Sequence, residues 1–254
     1  MKLLLKNTLR DVKIFRFLYL LKTAFGYYRN IFVLIIKKSW KSNELSTFSY
    51  SITTKNVKYL SHTLSIIANT DFDIVYKYFD ELYSNEKLKS FKLNGRILNY
   101  VLIRLFKPRV VVENGIFIGL NSLIMCEAIK KNIEEGYEGV FIGLDIDGMA
   151  GDLIRRENYK FVKIVISDAI DFLNENLIQI DYYFSDGDRR KEYELVEFEM
   201  LKKSLGNSSV IVSNKLAFSD ALADFSMANG RKLLIYKEDV LDHWYPGTLF
   251  GISY

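Results

Sequence analysis

Four short stretches of this 254-residue chain place carboxylates where a ligand could use them. The first is Glu113-Asn114-Gly115-Ile116-Phe117-Ile118-Gly119, an acid followed by glycines spaced G-x-x-x-G. Such glycines let a backbone approach a ligand closely, and Asn121 or Ser122 behind them can cap a helix. The spacing is not the G-x-G-x-x-G of pyrophosphate binders. Glu113 would repel a pyrophosphate and welcome an ammonium or a sulfonium. The second stretch is Gly143-Leu144-Asp145-Ile146-Asp147. Asp145 closes its apolar run directly and can accept both hydroxyls of a ribose, at about 1.5–3 kcal/mol for each charge-assisted bond; Asp147 reads as a helix cap. The third is Ser167-Asp168-Ala169, whose acid can accept an exocyclic amine of adenine or cap the next helix, two compatible roles. The fourth, Ser185-Asp186-Gly187-Asp188, puts two more carboxylates at the same edge.

Short apolar strands alternating with helices hold these stretches. From Pro108 onward the strands fall at 110–113, 140–145, 161–166, 181–185, 209–213, 232–236 and 248–253, with helices such as 122–132 and 192–204 between the first six. That alternation predicts a parallel sheet covered on both faces. Ligands of such sheets bind beyond the carboxyl ends of the strands, where strand order reverses. No helix fits between the last two strands. Residues 239–247, with Pro246 and Gly247, read as a hairpin loop, so the last strand must run antiparallel. The expected fold class is therefore α/β: a Rossmann-like three-layer sandwich with a seven-stranded, mostly parallel sheet, an antiparallel last strand and an N-terminal helical extension.

The extension differs in charge from the rest. Residues 1–41 carry ten Lys/Arg against one acid, Asp11, a net +9, while the remainder holds 25 bases and 30 acids, a net −5. On a helical wheel Lys2, Lys6, Arg10, Lys13 and Arg16 share one face of about 120°, opposite Leu4, Ile14, Phe15 and Leu18. A helix on an anionic membrane surface and a helix packed on the domain with a solvated basic face both fit. Its longest apolar run, 31–36, is far short of the roughly 20 residues that span a bilayer. No secretory signal pattern is present. The chain divides into a basic amphipathic extension (1–41), a helical cap or linker (42–94, helical over 73–82) and a ligand-binding domain (95–254). Cys126 is the only cysteine, which rules out an internal disulfide and suits a cytoplasmic setting; on the membrane-surface alternative, 1–41 would attach the chain peripherally. His62 and His243 are the only histidines, too few for an imidazole-rich metal site. The acidic folded portion argues against a nucleic-acid partner.

Taken together, "KPRVVVENG", "GLDID", "SDA", "IDYYFSDGD", "EFEMLKKSL" and "VIVSN" resemble class I S-adenosylmethionine (SAM) dependent methyltransferases, in particular the small-molecule and glycan O-methyltransferases with an E-T-G-x-x-x-G first motif. The resemblance spans about 95–253. It implies cofactor contacts by Glu113, Asn114, Gly115, Gly119, Ser122, Asp145, Ile146, Asp168 and Ala169, with Asp186 facing the methyl-transfer site. The implied acceptor is a small molecule or glycan, and the cofactor is SAM.

The chain departs from the pattern at two places. Relatives continue the fourth motif to a histidine where Arg189 stands, and carry aspartates where Ser213-Asn214-Lys215 stands. Methyl transfer to oxygen needs the acceptor proton removed, by a base or by a metal. Asp186 and Asp188 are the catalytic candidates. A divalent cation on them and Asn214 is disfavoured by the adjacent Lys215, so no metal ligands are assigned. His243 offers a base from another loop. Arg189, Arg190 and Lys191 would either hold a phosphate or uronate of the acceptor or form the solvated start of a helix. Besides the enzyme, a non-catalytic SAM-binding or assembly protein fits the two departures. A nicotinamide oxidoreductase fits neither the glycine spacing nor the terminal hairpin.

Overall fold

A computed structural model describes residues 57–91, 93–237 and 249–254, the backbone of 48–50, and the single positions Phe25 and Arg29. The basic extension, the 239–247 hairpin loop and His243 lie outside the described residues, apart from those two positions.

Among the described residues eight strands form one sheet: β1 (Phe48–Tyr50), β2 (Val110–Asn114), β3 (Val140–Asp145), β4 (Val162–Ile166), β5 (Ile180–Ser185), β6 (Leu205–Ser213), β7 (Leu233–Lys237) and β8 (Leu249–Ser253), in the order β1-β7-β8-β6-β5-β2-β3-β4. The seven expected strands are all present. β1 is additional, a three-residue edge strand parallel to β7. β2 through β6 pair in parallel, and β8 runs antiparallel to both β6 and β7. From β2 the chain builds outward through β3 and β4, then returns to place β5 on the other side of β2. The switch point therefore lies between β2 and β5, where an open α/β sheet leaves a crevice.

Helices cover both faces. Alternate strand residues point to opposite sides, and the two cores divide accordingly. Val111, Phe141, Tyr182 and Phe184 pack with α1 (Val57–Ala68), α2 (Phe72–Ser84), α3 (Ile97–Phe106) and α4 (Leu120–Glu134). Val112, Ile142, Tyr183 and Ile211 pack with α6 (Ala169–Glu175), α7 (Lys191–Leu201) and α8 (Ala221–Ala228). The four-residue α5 (Asp152–Arg155) joins the first core through Ile154. Segment 57–84 thus shares its apolar face with the sheet. Arg104, fully buried on α3, bonds Glu81 of α2 through Nε at 2.8 Å and reaches Asn132 and Glu135 at the end of α4. Three helices are thereby fastened around one guanidinium, whose buried charge is matched by carboxylates. Among the described residues no helix is long and apolar enough to cross a membrane.

Candidate functional site

At the carboxyl ends of β2, β3, β4 and β5 lies a cavity of about 500 Å³. Asn114, Gly115, Phe117, Asp145, Ile146, Ser167, Asp168, Ala169, Asp186 and Asp188 all contribute to its wall, as do Gly187, Arg190 and Tyr193. Its size is within the roughly 300–1,000 Å³ usual for small-molecule sites. Eight of the eleven residues assigned from the sequence line it. Glu113, Gly119 and Ser122 do not.

Those three sit beneath or behind the wall. Gly119, at φ 89°, precedes α4 and packs against Gly151, where an added Cβ would stand 3.3 Å from Cα. Gly115, at φ 88°, is required by a neighbouring loop: an added Cβ would stand 2.9 Å from the Asp186 carbonyl carbon. The glycines thus let loops touch, and Gly115 also lines the cavity. Neither Asn121 nor Ser122 caps α4, whose N-cap is Gly119 with no side-chain bond. Ser122 instead donates its hydroxyl to Glu113 Oε2, and Asn121 donates Nδ2 to Asp186 Oδ2 at 3.2 Å. Both side chains donate inward to carboxylates rather than accepting from the backbone N–H groups of the helix start.

Glu113 is fully buried, and its Oε1 has no hydrogen-bond partner. Burial pushes its pKa well above the usual carboxylate range; the Ser122 hydroxyl opposes this, and Asp186 nearby adds to it. A buried carboxylate oxygen left unpaired is costly unless the group takes a proton or a donor arrives.

Asp145 organises the rim. Its Oδ2 accepts the Phe117 N–H at 2.9 Å and its Oδ1 accepts the Asp147 N–H at 3.0 Å. Each oxygen keeps lone-pair capacity for a ligand hydroxyl. Phe117 holds φ 48°, a left-handed value uncommon outside glycine, and its carbonyl accepts the Gly151 N–H at 2.6 Å. Asp147 is not a helix cap: it accepts the Met149 N–H at 2.9 Å within its own turn, and Gly151 precedes α5. Ile146 is 78% exposed at the rim.

Asp168 is the N-cap of α6, its Oδ1 accepting the Ile170 N–H at 2.8 Å. It also receives the Tyr193 hydroxyl, 3.0 Å from each carboxylate oxygen. Tyr193 rises from the first turn of α7 and lines the cavity, a residue that sequence spacing did not single out.

Asp186 is held between two amides. Asn214 Nδ2 donates to its Oδ1 at 2.8 Å, opposite the Asn121 bond to Oδ2. Asn121 in turn lies beside Asn99, which accepts the Tyr182 hydroxyl at 2.8 Å. Burial raises the Asp186 pKa; the Asn214 bond and the nearby Arg189, Lys215 and Arg96 partly offset that. Asp188 differs. Its carboxylate forms a forked pair with Arg190, Nη2 to Oδ2 at 2.6 Å, and this pairing lowers its pKa.

Of the expected basic patch, Arg190 is thus turned onto Asp188. Lys191 is paired with Asp220 and Asp224, both at 2.7 Å, and Arg189 lies over the Phe218 ring at 4.9 Å. Lys215 points away from the cavity into the protein interior, between the buried Glu194 and Glu197. Glu197 Oε1 collects Asn114 Nδ2 (2.8 Å), Tyr183 OH (2.7 Å) and Ser185 Oγ (2.8 Å). Sequence reading did not single out that network: its members come from β2, β5 and α7, and Asn114 and Glu197 stand 83 residues apart. His62 is exposed on α1, away from the cavity lining. Among the described residues no group of three or more His, Cys, Asp or Glu is arranged to hold a metal ion.

The chain matches no family model and no curated protein. Solved structures similar to it include the SAH-bound Podospora anserina methyltransferase PaMTH1 (12% identity, 78% of this chain and 96% of that chain, TM-score 0.48). Another is the O-methyltransferase from Bacillus cereus in complex with SAH (13%, 79% and 99%, 0.48). A third is the Streptomyces achromogenes O-methyltransferase TomG, involved in tomaymycin synthesis, in complex with SAM (15%, 80% and 98%, 0.47). At these identities and TM-scores none of them carries a functional assignment to this chain.

Proposed function

We propose that the chain is a SAM-dependent O-methyltransferase that binds its cofactor in the cavity at the carboxyl ends of β2 to β5. The observation that carries this is the succession of acids in the wall, Asp145, Asp168 and Asp186, with the buried Glu113 and its unpaired Oε1 behind it. A carboxylate lining disfavours pyrophosphate and suits a nucleoside with a cationic amino-acid tail. On this reading Glu113, behind the wall, would answer the ammonium, Asp145 the ribose hydroxyls and Asp168 the adenine amine. The motif resemblance over 95–253 points the same way.

Bound SAM supplies an electrophilic methyl group on a sulfonium. The chain supplies position and a base. Asp186 is the better base of the two aspartates, because burial raises its pKa toward the working range while Arg190 depresses that of Asp188. Asn121 and Asn214 fix both Asp186 oxygens and leave each a free lone pair for the proton of an acceptor hydroxyl. The acceptor class we propose is a sugar, glycan or other small polar molecule, met by the mouth beside Asp186, with residues 1–41 on a membrane surface and 95–254 as the catalytic domain.

A second reading, a SAM-binding protein without turnover, is favoured by the clamping of Asp188 by Arg190 and by Arg189 and Asn214 at the two departing positions. Incubation with labelled SAM and a panel of sugar and phenol acceptors separates the two. Release of S-adenosylhomocysteine (SAH), lost in Asp186→Asn, supports the enzyme; binding without release across the panel supports the second.

A further inference from the structure

Asp168 belongs to the loop between β4 and α6, yet its carboxylate is oriented from another element. Tyr193, in the first turn of α7, brings its hydroxyl within 3.0 Å of both Asp168 oxygens, and both residues form the cavity wall. The cap bond from the Ile170 N–H reaches only Oδ1, at 2.8 Å. Without the tyrosine, the carboxylate could rotate about that single bond. With it, both oxygens are fixed, and the carboxylate still has acceptor capacity to spare, since four lone-pair sites are available. An ionised carboxylate so held accepts and cannot donate.

We infer that Tyr193 is a positioning residue for base recognition: it holds Asp168 as a fixed hydrogen-bond acceptor, so that the cavity takes a purine bearing an exocyclic amine and rejects one bearing a keto oxygen at that place. This rests on the reading of the cavity as a nucleoside site. Placing a keto oxygen there would set acceptor against acceptor and leave buried polar atoms unpaired, the kind of mismatch by which polar sites discriminate strongly. Burial and the Asp168 charge keep the Tyr193 hydroxyl protonated, so it remains a donor to Asp168 well above neutral pH.

The test compares SAH with its inosine counterpart, S-inosylhomocysteine, by calorimetry on the full chain and on Tyr193→Phe, with thermal melting as a check that the variant folds. The wild type should prefer SAH. Tyr193→Phe should weaken SAH by about fivefold or more and shrink the preference over the inosine analogue. In an Asp168→Ala background the same change should leave the preference unaltered, because the group it orients is gone. A wild type that binds SAH, with an unchanged preference in Tyr193→Phe, reduces the contact to a tie between α6 and α7 and overturns the inference alone. A wild type that binds neither SAH nor SAM overturns the nucleoside reading and this inference together.

Discussion

The Lys215 ammonium donates to the Asp188 backbone carbonyl at 2.9 Å from inside the protein, with its side chain only 1% exposed. The loop that carries Asp186 and Asp188 is therefore anchored from below by a buried cation. That cation lies 3.3 Å from Glu194 Oε1 and 3.7 Å from Glu197 Oε2, both buried.

Removing the cation should be costly. Lys215→Met leaves two buried acids without their counter-charge, which points to a loss of about 3 kcal/mol or more and a melting temperature lower by on the order of 10 °C. Burial already holds the Glu194 pKa above its ordinary value, with Lys215 opposing the rise. Taking the lysine away raises it further, so the folded state clings to a proton that the unfolded state releases. The deficit should then grow as pH rises from about 5 to about 8, which melting curves across that range will read.

Gly115 and Gly136 share a φ near 90° but differ in surroundings: nothing lies within 4 Å of a Cβ built on Gly136, while one on Gly115 meets Asp186 and Gly187. Alanine at either position carries the strain of a left-handed backbone, about 1–3 kcal/mol. Only Gly115→Ala should also displace the Asp186 loop. Chemical denaturation should show a larger loss for Gly115→Ala, and ligand binding should weaken for that variant alone.

Glu113 predicts a pH dependence with a definite sign. Its folded-state pKa is raised by burial, so the ligand-free protein loses the corresponding stability as pH climbs from the ordinary glutamate range toward the raised value. A ligand ammonium against Oε1 favours the ionised form. Binding below the raised pKa must therefore release a proton, and SAH affinity should increase with pH between about 5 and 8. Glu113→Gln should flatten that dependence, and calorimetry in buffers of different ionisation enthalpy should find no proton released.

Strand positions were legible in the sequence because each strand of the central sheet is an apolar run closed by a turn residue, Asp145 and Ser185 among them. β1 was not: it is three residues in a polar stretch, paired in parallel with β7. The acids of the site were visible because they stand at strand ends. Their partners were not, since Tyr193 meets Asp168 across 25 residues, Asn214 meets Asp186 across 28, and Asn114 meets Glu197 across 83. Such pairings depend on how α6, α7 and the β6 loop pack, which no local spacing encodes. For the same reason Arg190 and Lys191 read as a free basic patch until Asp188, Asp220 and Asp224 are brought beside them.

Calorimetric titration of the full chain with SAM and with SAH, alongside Asp145→Ala, tests most directly whether this ring of acids is a nucleoside site. One molecule should bind per chain with a Kd of about 100 μM or tighter, with at least a tenfold weakening in Asp145→Ala, equivalent to roughly 1.4 kcal/mol. No binding of either compound by the folded wild type, or equal affinity in Asp145→Ala, contradicts the nucleoside reading.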